Sequence, residues 1–356
     1  MDEVTKTRIK VLTGLAFIVI VVHLILIKVF ILNSGSSSAK EEKQKSPSAQ
    51  QQTAKAPLPA APVVQQKRYF VPSANPRFGQ AFDYRGAVRG NLPAKVVPGS
   101  AGARSGIIVD METRRVLWEK NSSRAVPIAS MAKMMTMLLV MEQLEQRADL
   151  SVKTPVPVTR TARDVPRTGV LFLAPGESFT IQELMIATAV KSANDAATLL
   201  AEYVGGNIPS FVTMMNRRAA GLGLKNTSFI NPCGLPENKK NSLGSAADMV
   251  MLGEQLLQYP LLMQWCNLKS SSIRDGKTVF VNTNKLVNPR YPGVDGLKTG
   301  YIRASGSCLT FSAVRNQRRI MGCVTGFKSS RDRDRFCRRL LDWAYNQPGT
   351  IAAKRK

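Results

Sequence analysis

The sequence predicts an α+β domain carried behind an N-terminal membrane-spanning helix. Three features point there. Strand-like patterns open and close an ordered stretch over 105–346, helical patterns fill its middle, and a low-complexity segment separates it from an apolar run near the N-terminus. The chain has 356 residues, 44% of them apolar, an ordinary share for a protein that builds a core. Its formal charge is +26, with eleven Lys/Arg against three Asp/Glu over 33–104 and thirty-five against nineteen over 105–356. A basic balance suits an anionic membrane face, acidic wall polymers or nucleic acid. Nucleic acid is set aside, because no zinc-finger spacing, RNA-binding signature or basic zipper accompanies the charge.

"VLTGLAFIVIVVHLILIKVFIL" (11–32) matches the roughly 20 residues that a spanning helix needs. Lys6, Arg8 and Lys10 precede it, favouring a cytoplasmic tip and transmembrane anchor over 1–32 and export of everything after the span. A cleaved signal peptide is the rival, with Ser37 and Ala39 as small residues before a cut, but the run exceeds the roughly 7–15 residues of a signal core. From 33 to 104 the composition turns to Ser, Ala, Pro, Gln, Lys and Gly, the mark of a disordered tether with a root-mean-square span of about 50 Å.

Order begins at "SGIIVDMETRRVLWE" (105–119), read as two strands around a turn at Asp110 to Glu112. The stretch 126–144 is apolar on nearly every side and predicts a helix inside the domain. Thr180 and Glu183, flanked by Phe179 and Leu184, form a capping box and staple that start a second helix. "IPSFVTMMNRRAAGLGL" (208–224) makes a third, closed by Gly221 or Gly223. "SGSCLTFSAVRNQRRIMGCVTGF" (305–327) reads as two strands joined near Asn316, and "DRDRFCRRLLDWAYN" (332–346) as a final helix, with a basic tail over 347–356.

Cys233, Cys266, Cys308, Cys323 and Cys337 are odd in number and widely spaced, with no Cys-x-x-Cys pair, and are expected to be buried free thiols. The only histidine, His23, lies in the apolar run. The ordered stretch therefore lacks imidazole, which excludes Ser-His-Asp triads, HExxH zinc sites and His-rich metal sites; no metal or cofactor is expected. Ser-Lys arrangements, carboxylate pairs or no catalysis remain.

Ser130 and Lys133, in "VPIASMAKMMTMLLVM" (126–141), stand three apart, on one face of a helix. An ammonium among Met131, Met134, Met137 and Leu138 is disfavoured, so Lys133 should lose its proton more easily and serve as a base. Ser130 follows Pro127 at the helix start, where backbone amides favour negative charge. A lysine that snorkels to solvent is the alternative, and Ser-x-x-Lys recurs by chance at Ser37 and Lys40. Two more stretches carry weight: Ser192 and Asn194 in "VKSANDAA", and Lys298, Thr299 and Gly300 in "GVDGLKTGY". Each is weak alone. Their order within one domain is far less common by chance.

Together with "GLGLKNTSFINPCGLP" (221–236), these motifs make 102–346 resemble the low-molecular-mass penicillin-binding proteins, serine-type D-alanyl-D-alanine carboxypeptidases of peptidase family S11. The resemblance implies a β-lactamase/DD-peptidase-like fold, an antiparallel sheet flanked by helices with a helical subdomain. It also implies the D-Ala-D-Ala end of peptidoglycan stem peptides as substrate and β-lactams as inhibitors. By matching motif, Ser130 is the nucleophile, Lys133 its base, Ser192 a proton relay, and Asn194 an orienting group. Lys298 and Thr299 would hold the terminal carboxylate, and Lys298 would help lower the pKa of Lys133. The amides of Ser130 and Tyr301 would hold the oxyanion, and Gly300 would leave room for substrate beside its strand.

Three departures stand out. Many relatives carry a β-rich C-terminal domain and an amphipathic anchor, whereas here little follows the final helix, so the N-terminal span is expected to anchor the protein, with the catalytic domain outside the cytoplasm. The middle motif reads Ser-Ala-Asn where Ser-Gly-Asn is common. Cys233 stands in "NPCGLP" where other residues are usual and is read as structural. Among rival functions, a class A β-lactamase is disfavoured by the missing Glu-x-x-Leu-Asn, since the nearest candidate, Glu237 to Asn241, has Lys240 in place of leucine. D,D-endopeptidase action on cross-links uses the same site and stays open, as does an inactive wall-binding homologue.

Overall fold

A computed structural model describes residues 69–71, 82–89, 97–287 and 291–347. Five strands form the central antiparallel sheet: β1 (Ser105–Asp110), β2 (Arg115–Lys120), β3 (Val294–Ile302), β4 (Gly306–Arg315) and β5 (Arg318–Phe327), in the order β2-β1-β5-β4-β3. The two ends of the domain thus meet inside one sheet, with Ile107 of β1 opposite Cys323 of β5. Side chains alternate between faces along a strand. Ile107 joins the core on the side of the helical subdomain, and Ile108 joins Trp118, Phe311 and Phe336 on the other.

A sheet apolar on both faces must be covered on both. The principal helices are α1 (Lys133–Gln146), α2 (Ile181–Ile186), α3 (Asn194–Gly205), α4 (Ile208–Gly221), α5 (Ala246–Leu256) and α6 (Ser330–Tyr345). α5 packs on β1 and β5 and also on α1, while α6 covers β4 and β5 from the opposite face. α1 to α4 pack together as the helical subdomain. The architecture is the α+β arrangement expected, an antiparallel sheet flanked by helices.

Local signals explain the element ends. Thr180 Oγ1 accepts the Glu183 amide at 3.2 Å and Glu183 Oε2 accepts the Thr180 amide at 2.8 Å, a reciprocal cap worth about 1 kcal/mol. β4 and β5 are joined through Asn316 and Gln317, both at positive φ (49° and 62°), the twist a two-residue hairpin needs.

Four expectations change. The turn after β1 falls on 111–114, because the Asp110 side chain closes it by accepting the amides of Glu112 and Thr113 at 2.9 and 3.1 Å. The stretch 126–144 is not one helix. Val126 and Pro127 pair with Leu243 and Gly244, Ala129–Ala132 form a 3₁₀ turn, and α1 starts only at Lys133; Ala129 at φ 49° interrupts the helical path.

The third change concerns the tether expected over 33–104, since its described residues are packed. Tyr84 is fully buried, donates its hydroxyl proton to Met111 Sδ at 3.2 Å and accepts Arg114 NH1 at 2.8 Å. The Val116 amide donates to Val88 O at 3.0 Å, so this segment covers the outer edge of β2. The Phe70 amide donates to Glu145 Oε1 at 2.6 Å, Val71 N donates to Gln258 O at 2.9 Å, and Val97 and Ala103 are buried. The cause is aromatic: Tyr69, Phe70, Phe82 and Tyr84 are enough to anchor a segment whose average composition is that of a linker. The fourth change, the reason for Gly300, belongs to the site below.

The apolar run at 11–32 and residues 348–356 of the tail lie outside the described residues. Among the described residues, no helix is long and apolar enough to cross a membrane. All five cysteines are buried and unpaired by disulfides.

Candidate active site

The 3₁₀ turn at Ala129–Ala132 sets Ser130 at the mouth of a cleft of about 520 Å³, and the first residue of α1 points its amine at it. Lys133 is fully buried, and its Nζ has three partners: Ser130 Oγ at 3.1 Å, Asn194 Oδ1 at 2.6 Å and the Cys233 carbonyl at 2.7 Å. Burial brings the amine down from the ordinary 10.5 to about 8, against the pull of Cys233 and Asp195 the other way. A lysine this dry lies much nearer its neutral form at pH 7 than a surface lysine does.

Three backbone features hold that geometry. Gly234, at φ 74°, lets the 231–235 loop run under the nucleophile turn; a Cβ there would stand 2.0 Å from the Ala129 carbonyl oxygen. Asn231 folds the loop by accepting the Gly234 amide at 2.7 Å and donating to Leu235 O at 2.8 Å, while Thr136 donates to Pro232 O at 2.6 Å. On the other side, a π-helical turn over Ala187–Lys191 ends at Ser192 in the left-handed region, φ 63°. Such turns are wider than an α-helix and concentrate at functional sites. They deliver Ser192 to the cleft wall and Asn194 to the start of α3, where its Nδ2 donates to Thr168 O and its amide to Gly169 O at 2.7 Å.

β3, the edge strand, forms the opposite wall through Thr299, Gly300 and Tyr301. Thr299 Oγ1 lies 2.7 Å from Thr283 Oγ1. Lys298 is buried beneath this wall rather than lining it, with Nζ donating to Thr299 O at 3.3 Å. Burial first, and the Lys133 ammonium second, hold Lys298 well below the ordinary lysine value. The coupling expected between the two lysines therefore registers on Lys298, while burial accounts for Lys133. Gly300 has a reason within the chain itself: a Cβ would stand 2.7 Å from the Ile128 carbonyl oxygen, so the strand could not press against the nucleophile turn.

The structure thus gathers Ser130, Lys133, Ser192, Asn194, Thr299, Gly300 and Tyr301 around one cleft, with Lys298 directly behind it. Sequence reasoning missed the Cys233 carbonyl, the Thr168–Gly169 backbone, Thr283 and Arg333. The first two are main-chain groups with no side-chain signature. Arg333, 3% exposed and lining the cleft, was one basic residue among many in an arginine-rich helix. Among the described residues there is no cluster of His, Cys, Asp and Glu that suits a metal ion.

An antiparallel sheet, a helical subdomain and a Ser-Lys pair between them define the DD-peptidase class of fold. The chain belongs to the Peptidase S11 family, described as D-alanyl-D-alanine carboxypeptidase, whose model matches residues 93–329. It is 38% identical over 248 residues to the D-alanyl-D-alanine carboxypeptidase DacF of Bacillus subtilis, covering 69% of this chain and 62% of that protein. It is 30% identical over 218 residues to a D-alanyl-D-alanine endopeptidase of Pseudomonas aeruginosa, covering 60% of this chain and 67% of that one. Penicillin-binding protein D2 of Listeria monocytogenes, solved in a cefotaxime-bound form, superposes with a TM-score of 0.63 at 26% identity, over 68% of this chain and 97% of that structure. The match thus spans less than two thirds of the length of the Bacillus relative.

Proposed function

We propose that the chain is a serine-type D-Ala-D-Ala carboxypeptidase acting on peptidoglycan stem pentapeptides. The observation that carries this reading is the dry Lys133 amine held 3.1 Å from Ser130 Oγ inside an S11 domain. In its neutral form Lys133 takes the Ser130 proton as Oγ attacks the carbonyl carbon of the penultimate D-Ala. The amides of Ser130 and Tyr301 receive the oxyanion. Ser192 relays a proton to the leaving nitrogen, the C–N bond breaks, and D-Ala departs, leaving the peptide as a Ser130 ester. Water activated by Lys133 then hydrolyses that ester. Thr299 takes the terminal carboxylate, with Lys298 supplying positive field from behind it. A β-lactam acylates Ser130 by the same first step, as the antibiotic-bound relatives suggest.

Purified full-length chain in detergent should release D-Ala from a synthetic stem pentapeptide and be labelled by a fluorescent penicillin. Ser130→Ala should lose both, by at least about 10⁴-fold; retention of both would overturn the assignment. Endopeptidase action is the second reading, favoured by the Pseudomonas relative. Cross-linked muropeptides separate the two: monomer production marks an endopeptidase, loss of one alanine a carboxypeptidase.

The proposed setting is a single-pass membrane protein with the 105–346 domain outside the cytoplasm, supported by the apolar run at 11–32 and the cations before it.

A further inference from the structure

The candidate cleft is one-sided in charge. Lys191, Lys328 and Arg333 line it, and none of its lining residues is acidic. Arg333 is already matched within the chain, donating Nε and NH2 to Asp334 Oδ1 at 2.9 and 2.7 Å and NH1 to Cys308 O at 3.1 Å. The two lysines differ. Lys191 sits half-buried beside Ser192 at the end of the π-helical turn, Lys328 is exposed just past β5, and among the described residues neither has an ion-pair partner. Lys328 also borders a neighbouring groove with Arg104, Arg335 and Arg339, whose single carboxylate, Asp332, lies 3.5 Å from Arg335.

The proposed reaction accounts for one substrate charge, the terminal carboxylate, and assigns it to Thr299 with Lys298 behind it. Two cations on the cleft wall remain, and their free ammonium groups attract a further anion on the bound peptide. We propose that Lys191 and Lys328 make the cleft selective for stem peptides carrying a free side-chain carboxylate, in preference to the same peptides with that group amidated. The proposal rests on the carboxypeptidase reading and names its substrate class. Contacts of this exposed kind are modest, each a factor of about two to five, and weaken as salt screens them.

Two pentapeptides ending in D-Ala-D-Ala, identical except that one stem side chain is a carboxylate or its carboxamide, test this on the full chain in detergent. The wild type should favour the carboxylate about 5-fold in kcat/KM at low ionic strength, mostly through KM, and the preference should shrink towards unity near about 0.5 M salt. Lys191→Glu and Lys328→Glu should each reverse it. Lys225→Glu, the same charge change outside the cleft, should leave the preference in place. Equal kcat/KM for the two donors would overturn the inference alone. So would a preference that Lys225→Glu lowers as much as the cleft variants do, since the overall charge would then be responsible. Release of D-Ala from neither donor, with penicillin labelling intact, would overturn the carboxypeptidase reading and the inference with it.

Discussion

Lys133 is charged by composition and apolar by location, and that conflict sets its behaviour. As an ammonium it uses all three protons, on Ser130, Asn194 and Cys233; as an amine it frees a lone pair for the Ser130 hydroxyl. Burial brings its pKa down to about 8, so the reactive neutral form gains population as pH rises to that value. The second-order rate of acylation by a fluorescent penicillin should climb about tenfold per pH unit below about 8 and level off above it. A profile still climbing towards the ordinary lysine value would mean the base is not this buried amine. Three-residue spacing made the Ser130–Lys133 pair legible in the sequence, and the family resemblance of the later motifs brought in Asn194. The Cys233 carbonyl was not legible, since every residue type carries one, and Lys191 and Arg333 were lost in a uniformly basic composition.

At the scale of elements, the site depends on close backbone approaches. The 231–235 loop and β3 both press on the nucleophile turn, and both do so at a glycine. Gly234→Ala would need positive φ and would put a methyl into the Ala129 carbonyl, so it should cost about 1–3 kcal/mol and slow acylation as the turn shifts. Thermal unfolding and stopped-flow penicillin binding read the two effects; an unchanged melting temperature would show that the loop accommodates the methyl freely. Capping chemistry and the Asn316 hairpin were legible because they are written in consecutive side chains. The break between Val126 and Lys133 was not, because an apolar run looks alike whether it is strand, 3₁₀ turn or helix, and the positive φ at Ala129 leaves no mark on hydropathy.

At the scale of the whole domain, the described residues form a sheet closed by the domain's two ends with a helical middle between them, and that plan was readable from the order of strand and helix patterns. The domain's N-terminal boundary was misplaced, because average composition hides five aromatics in 69–84. A truncation series tests both the anchor and the boundary. Removing 1–32 should release the protein from membranes with turnover unchanged. Removing 1–104 should also strip Tyr84, Val97 and Ala103 from the core and cost about 3–5 kcal/mol, seen as a lower melting temperature. Equal melting temperatures for the two fragments would return 33–104 to the status of a tether. The clasp at 69–71 has a mechanical meaning too. Going from the N-terminus, the first described residues to touch the domain do so at Glu145 and Gln258. Glu145 lies twelve residues along α1 from Lys133, about 18 Å at helical rise. A pull applied to the chain at 69–71 would be taken up at that far end of the helix, a full helix length away from the amine and hydroxyl at the other.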